Sequence, residues 1–246
     1  MADTRTMLVD EPGKREQAKA ERRSRIVQAA RDLIRETGDT NLSMRMIARR
    51  ADVSLATPYN LFGSKHAVVL AVFEDERDFA ERFGRLKADN AIDRLFDAHA
   101  LATSYFTEDP DFYRPLWKAL LDVQGANDTG LATPERLARN SRAWEALIHD
   151  AQADGLLDPA FPADMLERTL SFFANGVMLS WSMGTLATDR LLPSAALGYA
   201  LALRGAATAK GMTILAKRIH ELQGILEGSD AHKADAGSEC ARRGKG

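Results

Sequence analysis

Residues 41–66, NLSMRMIARRADVSLATPYNLFGSKH, decide the fold. The stretch divides into two short helices joined by a tight turn, with a third helix starting at its end. Ser43 stands just before Met46, Ile47 and Ala48 and suits an N-cap, because its hydroxyl can accept from an amide of the first turn. That helix should stop near Ala51, since Asp52-Val53-Ser54 is turn chemistry and Ser54 can cap the next helix. Leu55 to Phe62 then forms the second helix, closed by Gly63, a residue at ease in the left-handed position beyond a helix end. Ser64 can cap a further helix that begins at Lys65.

Two short helices set steeply across a turn of about three to four residues make a helix-turn-helix. The second helix is sized for the DNA major groove, with its N-terminal residues facing the bases. On a helix from Leu55, Pro58 and Phe62 lie four apart and share a face, so they can pack with Ile47, Ala48 and Val53. Leu55, Ala56, Thr57, Tyr59 and Asn60 are left around the other sides. Thr57, Tyr59 and Asn60 carry short or rigid hydrogen-bonding groups suited to phosphate oxygens and base edges. An αα-corner in an ordinary helical protein would show the same spacing, so the pattern leaves both readings open.

The sequence VSLATPYNLFGSKHAVVLAVF and the residues ahead of it resemble the DNA-binding domain of the tetracycline-repressor (TetR-like) family of bacterial transcription regulators. The matching features are Ser43, Ile47-Ala48, Val53-Ser54, Thr57 and Tyr59, Phe62, and Ser64-Lys65, with Ala29-Ala30 and Gly38 upstream. The resemblance covers residues 22 to 75; beyond them only the helical layout matches. Asp52 stands where Gly is usual in the turn, Ala56 where Gly is common, and Leu61 where His is frequent. Asp can still adopt a turn conformation, while Leu61 replaces a polar contact with a group that could meet a thymine methyl.

The resemblance implies an all-α protein that binds a near-palindromic double-stranded DNA operator as a homodimer and is released by a small apolar effector. Ser43, Arg45, Ser54, Leu55, Thr57, Tyr59, Asn60 and Lys65 form the expected DNA-facing set. Arg45 is the base-reading candidate, since arginine grips guanine through two bonds. Lys65, at a helix N-terminus, is the phosphate candidate. Two alternatives stay open: a DNA binder governed by protein partners rather than an effector, and a helical interaction protein with an idle DNA head.

Charge distribution agrees with a DNA head on another kind of body. The net charge is −2, yet residues 1–66 hold 13 Lys/Arg and 9 Asp/Glu, leaving 20 and 26 in the remainder. Lys14, Arg15, Lys19, Arg22, Arg23 and Arg25 gather near the start of the first helix, either as a solvated face or as phosphate contacts. The single cysteine, Cys240, excludes an intramolecular disulfide and a cysteine metal cluster. The five histidines lack metal-ligand spacing, and no catalytic motif is present, so neither a metal, a cofactor nor an enzyme is expected. The first residues lack the apolar core of a signal peptide. Thr169 to Thr188 carries no charge, but Ser171, Asn175, Ser180 and Ser182 favour a buried helix over a membrane span. A cytoplasmic protein without membrane contact is expected.

The expected organisation is a flexible arm at 1–16, the DNA head at 17–66, a helical effector and dimerisation body at 67–227, and a disordered polar tail at 228–246. The first helix should run from Gln17 to Thr37 with Gly38 past its end, and the helix from Lys65 should reach Phe83. Body helices are expected at 90–107, 110–123, 134–153, 162–187 and 194–226. Leu166, Leu170, Phe173, Val177 and Trp181 repeat at helical spacing, as do Leu215, Ile219 and Leu222. These stripes suit either one subunit's interior or an isologous four-helix interface, and the interface is the preferred assignment. Tyr113, Trp117, Trp144, His149, Asn175 and Met178 are the candidates for an effector cavity that the resemblance implies among the body helices.

Overall fold

A computed structural model describes residues 13–75, 79–121 and 134–243. The described residues are helical with no strand; Leu157 and Ala207 form an isolated antiparallel bridge. The chain divides after residue 76 into two compact units.

The first unit contains α1 (Lys14–Thr37), α2 (Met44–Arg50), α3 (Ala56–Phe62) and α4 (Lys65–Asp75). Its core is built from Ile26, Ala30 and Ile34 of α1, Ile47 of α2, and Val68, Val72 and Phe73 of α4, all nearly or fully buried. Burying each large aliphatic side chain contributes about 1.5–3 kcal/mol, which lets three short helices persist that would be marginal alone. Helix α1 begins at Lys14 rather than Gln17 and ends, as expected, at Thr37, with Gly38 at φ 63° and its N–H on the Ile34 carbonyl. Residues 67–75 pack on α1 and belong to this first unit, so the compact head extends beyond the 17–66 expected for it.

The second unit contains α5 (Phe79–Gly84), α6 (Ala91–Glu108), α7 (Pro110–Leu121), α8 (Pro134–Ala153), α9 (Ala163–Ser182), α10 (Thr188–Arg204) and α11 (Ala209–Arg243). Helix α10 is central and packs on α6, α9 and α11. Ile92, Leu95, Ala98, Ile148, Leu157, Ala200, Leu203 and Leu215 are fully buried in one cluster.

Three expectations for the body are corrected. The helix expected at 194–226 is broken at Gly205-Ala206-Ala207-Thr208, between α10 and α11. The break is held by a neighbouring loop: Asp158 N–H donates to the Ala206 carbonyl (2.8 Å) and Thr208 N–H to that of Leu156 (3.0 Å). Pro193, expected to punctuate, lies buried inside α10 instead. The tail expected to be disordered from 228 continues α11 to Arg243, in keeping with the helix-forming Ala, Glu, Lys and Arg among its residues. Residues 1–12 and 244–246 of the expected arm and tail lie outside the described residues. Among those described, no helix is long and apolar enough to cross a membrane.

Candidate nucleic-acid interface

The turn between α2 and α3 is built by local hydrogen bonds. Ser43 Oγ accepts from Met46 N–H at 3.1 Å, which caps α2. Asp52 sits at φ 51°, in the left-handed region that the resemblance fills with Gly. Val53 N–H returns to the Ala48 carbonyl at 3.0 Å and ties the turn to α2. Gly63, at φ 78°, ends α3 with its N–H on the Tyr59 carbonyl. Ser64 Oγ then accepts from Ala67 N–H at 3.1 Å, capping α4 and leaving Lys65 as its first residue.

Ser54 departs from its expected role. Its hydroxyl bonds the Thr57 hydroxyl at 2.8 Å, and its carbonyl takes the Thr57 N–H at 3.0 Å. Helix α3 accordingly starts at Ala56, with Leu55 as an N-cap that makes no side-chain bond. The Ser54–Thr57 pair fixes the first turn of α3 in place of a side-chain cap.

These turns sort the side chains by face. Ile47, Ala48 and Pro58 point inward. Ser43, Arg45, Ser54, Leu55, Tyr59 and Asn60 are exposed, and Thr57 and Lys65 are half-buried. The eight expected DNA-facing residues thus fall on α2, α3, the turn between them and the start of α4. Leu55 and Tyr59, apolar over much of their surface, stay 45% and 51% exposed.

Arg23, read from the sequence only as one of a basic cluster, braces α3 instead. Its guanidinium lies 4.3 Å from the centroid of the Phe62 ring, and it donates to the Leu61 carbonyl at 3.5 Å. Arg23 therefore places a cation at the C-terminal end of α3, where the helix dipole favours one. No spacing announces this, because it depends on how α1 crosses α3. Arg50 likewise makes a two-pronged pair with Glu36, at 2.8 and 2.6 Å, joining α2 to α1. The Arg50 hydrogen bonds hold the Glu36 carboxyl below its usual range.

In the body, the structure gathers only part of the expected effector set. Tyr113 and Trp117 meet Phe106 edge-on, with centroids 5.4 and 5.7 Å apart, and Trp181 joins at 5.8 Å. Met178 is buried one turn before Trp181. Trp144 packs against the other cluster, the one around Ile148. His149 and Asn175 are exposed on α8 and α9, which corrects their expected place in an interior cavity. Sequence reasoning did not single out Arg114, which lies 5.0 Å from the Trp181 centroid and donates to Thr188 Oγ1 at 3.2 Å. Trp181 Nε1 donates to the same hydroxyl at 3.1 Å. A cation between Tyr113 and Trp117 was the available signal.

Five of the eight residues expected between subunits are corrected as well. Trp181 and Leu215 are fully buried within one protomer, and Leu166, Leu170 and Ile219 nearly so. Val177 and Leu222 are half-buried; Phe173 is exposed, its ring closing over Gly198. The other exposed apolar residues of α9 and its C-cap are offset by one position: Met165, Phe172, Leu179 and Met183, in line with Thr169 and Gly176. Among the described residues no group of three or more His, Cys, Asp or Glu could hold a metal ion.

Residues 26–72 match the family model for bacterial regulatory proteins of the tetR family. No curated protein sequence matches the chain. Among solved structures, full-length native TylP, a TetR regulator from Streptomyces fradiae, aligns with a TM-score of 0.58 and 19% identity, covering 83% of this chain and 97% of that one. FadR from Thermus thermophilus, a TetR family repressor in complex with lauroyl-CoA, aligns with a TM-score of 0.59 and 21% identity, over 76% and 95%. The SmeT–triclosan complex gives 0.57 and 21%, over 76% and 92%. At these identities the likeness is one of fold. From the matched segment and the all-helical fold together, we conclude that the chain is TetR-like and carries at residues 26–72 the DNA-binding domain of that family of transcriptional regulators.

Proposed function

We propose that the protein represses transcription as a homodimer, laying α3 of each subunit into successive major grooves of a near-palindromic operator about 34–36 Å apart. One observation carries this reading. Arg45, Leu55, Tyr59 and Asn60 stay exposed around a helix-turn-helix whose inner residues, Ile47, Ala48 and Pro58, are buried. Arg45 reads a base edge; Thr57, Tyr59, Asn60 and Lys65 hold phosphates and fix register. The dimer forms through the outer stripe of α9, where Phe172 and Met183 are 71% and 66% exposed. Their spacing of four and three residues, through the small Gly176, suits close antiparallel helix packing.

A small, largely apolar effector acts in the body, beside the aromatic residues Phe106, Tyr113, Trp117 and Trp181. Two proteins of the same fold hold ligands with an apolar part, triclosan in one and lauroyl-CoA, with its apolar acyl chain on a charged carrier, in the other, which supports this part of the reading. The effector releases DNA only to the extent that it prefers the non-binding state, typically by about 1–3 kcal/mol.

Selection of bound sequences from a random DNA pool tests the proposal, at about 150 mM salt to screen non-specific phosphate attraction. An inverted repeat should be enriched. A folded dimer that enriches nothing would leave the DNA head idle and overturn the reading.

A further inference from the structure

The first three turns of α1 precede the family-matched segment and carry a feature that the helix-turn-helix does not use. Arg15, Lys19 and Arg22 stand at spacings of four and three, and a further four residues on is Ile26. Those intervals put all four on one face of a helix. Ile26 is fully buried, so that face is the one α1 turns toward the rest of the head. Over its first turns the face is cationic instead of apolar, and it overhangs α3. Between the two helices lies a groove of about 560 Å³, lined by Arg15, Glu16, Lys19 and Arg22 from α1 and by Thr57, Asn60 and Leu61 from α3.

We propose that this groove is a second DNA contact, which takes the phosphate backbone of the strand bordering the major groove that α3 enters. The inference rests on the DNA-binding reading above and adds to it the cations of α1, which lie outside the helix-turn-helix. Three features support it. The cations come from α1 and the neutral donors, Thr57 and Asn60, from α3, so a phosphate run between them would be gripped from both sides. Arg22 faces the groove while its neighbour Arg23 is spent on Phe62 and Leu61; the basic cluster is thus divided between contact and bracing. Finally, the carboxylate in the groove, Glu16, is 3.8 Å from Lys19 with both side chains more than half exposed. An exposed pair of this kind is weak enough for a phosphate to displace.

The test measures affinity for the selected sequence against salt concentration. Each phosphate neutralised contributes about 0.9 to the slope of log affinity on log salt. Lys19→Gln with Arg22→Gln should lower the slope by about 1.8 per subunit, or about 3.6 for the dimer, and weaken all sequences alike, without changing the preferred site. Glu16→Gln should tighten binding. Arg35→Gln, a loss of charge on the outer face of the same helix, should leave the slope unchanged. All four positions are exposed, so the melting temperatures serve as a check on folding. An unchanged slope in the double variant, with sequence preference intact in the wild-type protein, overturns the groove but leaves the DNA reading standing. A slope lowered as much per charge by Arg35→Gln overturns it in favour of a diffuse field. A wild-type protein that binds no sequence selectively overturns both.

Discussion

Acidification should destabilise this protein in part through His99, and the size of that part is set by its burial. His99 lies on α6 and is 5% exposed, its ring tilted against that of Tyr199 on α10 with centroids 4.3 Å apart. Its Nε2 is buried and has no hydrogen-bond partner among the described residues. Burial pushes its pKa down from 6.5 to about 4, because the imidazolium would lose its hydration without gaining a counter-ion. Burial also pushes the Tyr199 hydroxyl up, with the Glu167 carboxylate adding to the shift, so Tyr199 offers His99 no negative charge near neutrality. The folded state therefore binds fewer protons than the unfolded state between pH 6.5 and 4. Stability is complete above pH 6.5 and is lost as the pH falls toward 4. At about 1.4 kcal/mol per pH unit, the loss across that window is about 3 kcal/mol. Urea unfolding of wild type and His99→Leu at about pH 7.5 and about pH 4.5 isolates this contribution, since carboxylate titration is common to both chains. The variant should lose about 2–3 kcal/mol less than wild type between the two conditions. Parallel losses would mean that His99 is hydrated or paired in solution, and the reasoning from burial would fail.

Other substitutions separate neighbouring roles. A Cβ at Gly211 would lie 2.0 Å from the Leu156 carbonyl oxygen, a backbone atom that cannot swing aside. Gly211→Ala should thus cost about 1–3 kcal/mol in chemical unfolding, and a neutral result would show that the loop ahead of α9 yields. Arg45→Ala should relax preference at one position of each operator half-site, at about 1–3 kcal/mol, in a competition against single-base variants; uniform weakening would move Arg45 to the phosphate group. Phe172→Asp should leave a folded monomer in sedimentation, because the side chain is exposed within one protomer. Trp181→Asp should instead prevent folding, since it buries a carboxylate in place of a ring that Arg114 and Thr188 hold. A stable dimer of Phe172→Asp would remove the outer face of α9 from the interface.

The information that the sequence carried by itself was local. Ser43, Asp52, Gly63 and Ser64 specify the caps and turns of the head because each acts on a backbone group within a few residues of itself. The all-helical layout was legible for the same reason: helical periodicity and capping are properties of contiguous segments. Tertiary structure decided which of several permitted faces turned inward. On α9, the series Leu166, Leu170, Trp181 and the series Met165, Phe172, Leu179, Met183 both have helical spacing, but the first lies in the protomer's own core and the second faces outward. Periodicity defines a face and not its partner, so the two could not be told apart before α10 was seen to pack on α9. Thr208 and the loop at 156–158 break the expected last helix through contacts some fifty residues apart in sequence. Arg23 and the α1–α3 groove likewise arise only where two helices cross, a relation that no single stretch of sequence contains.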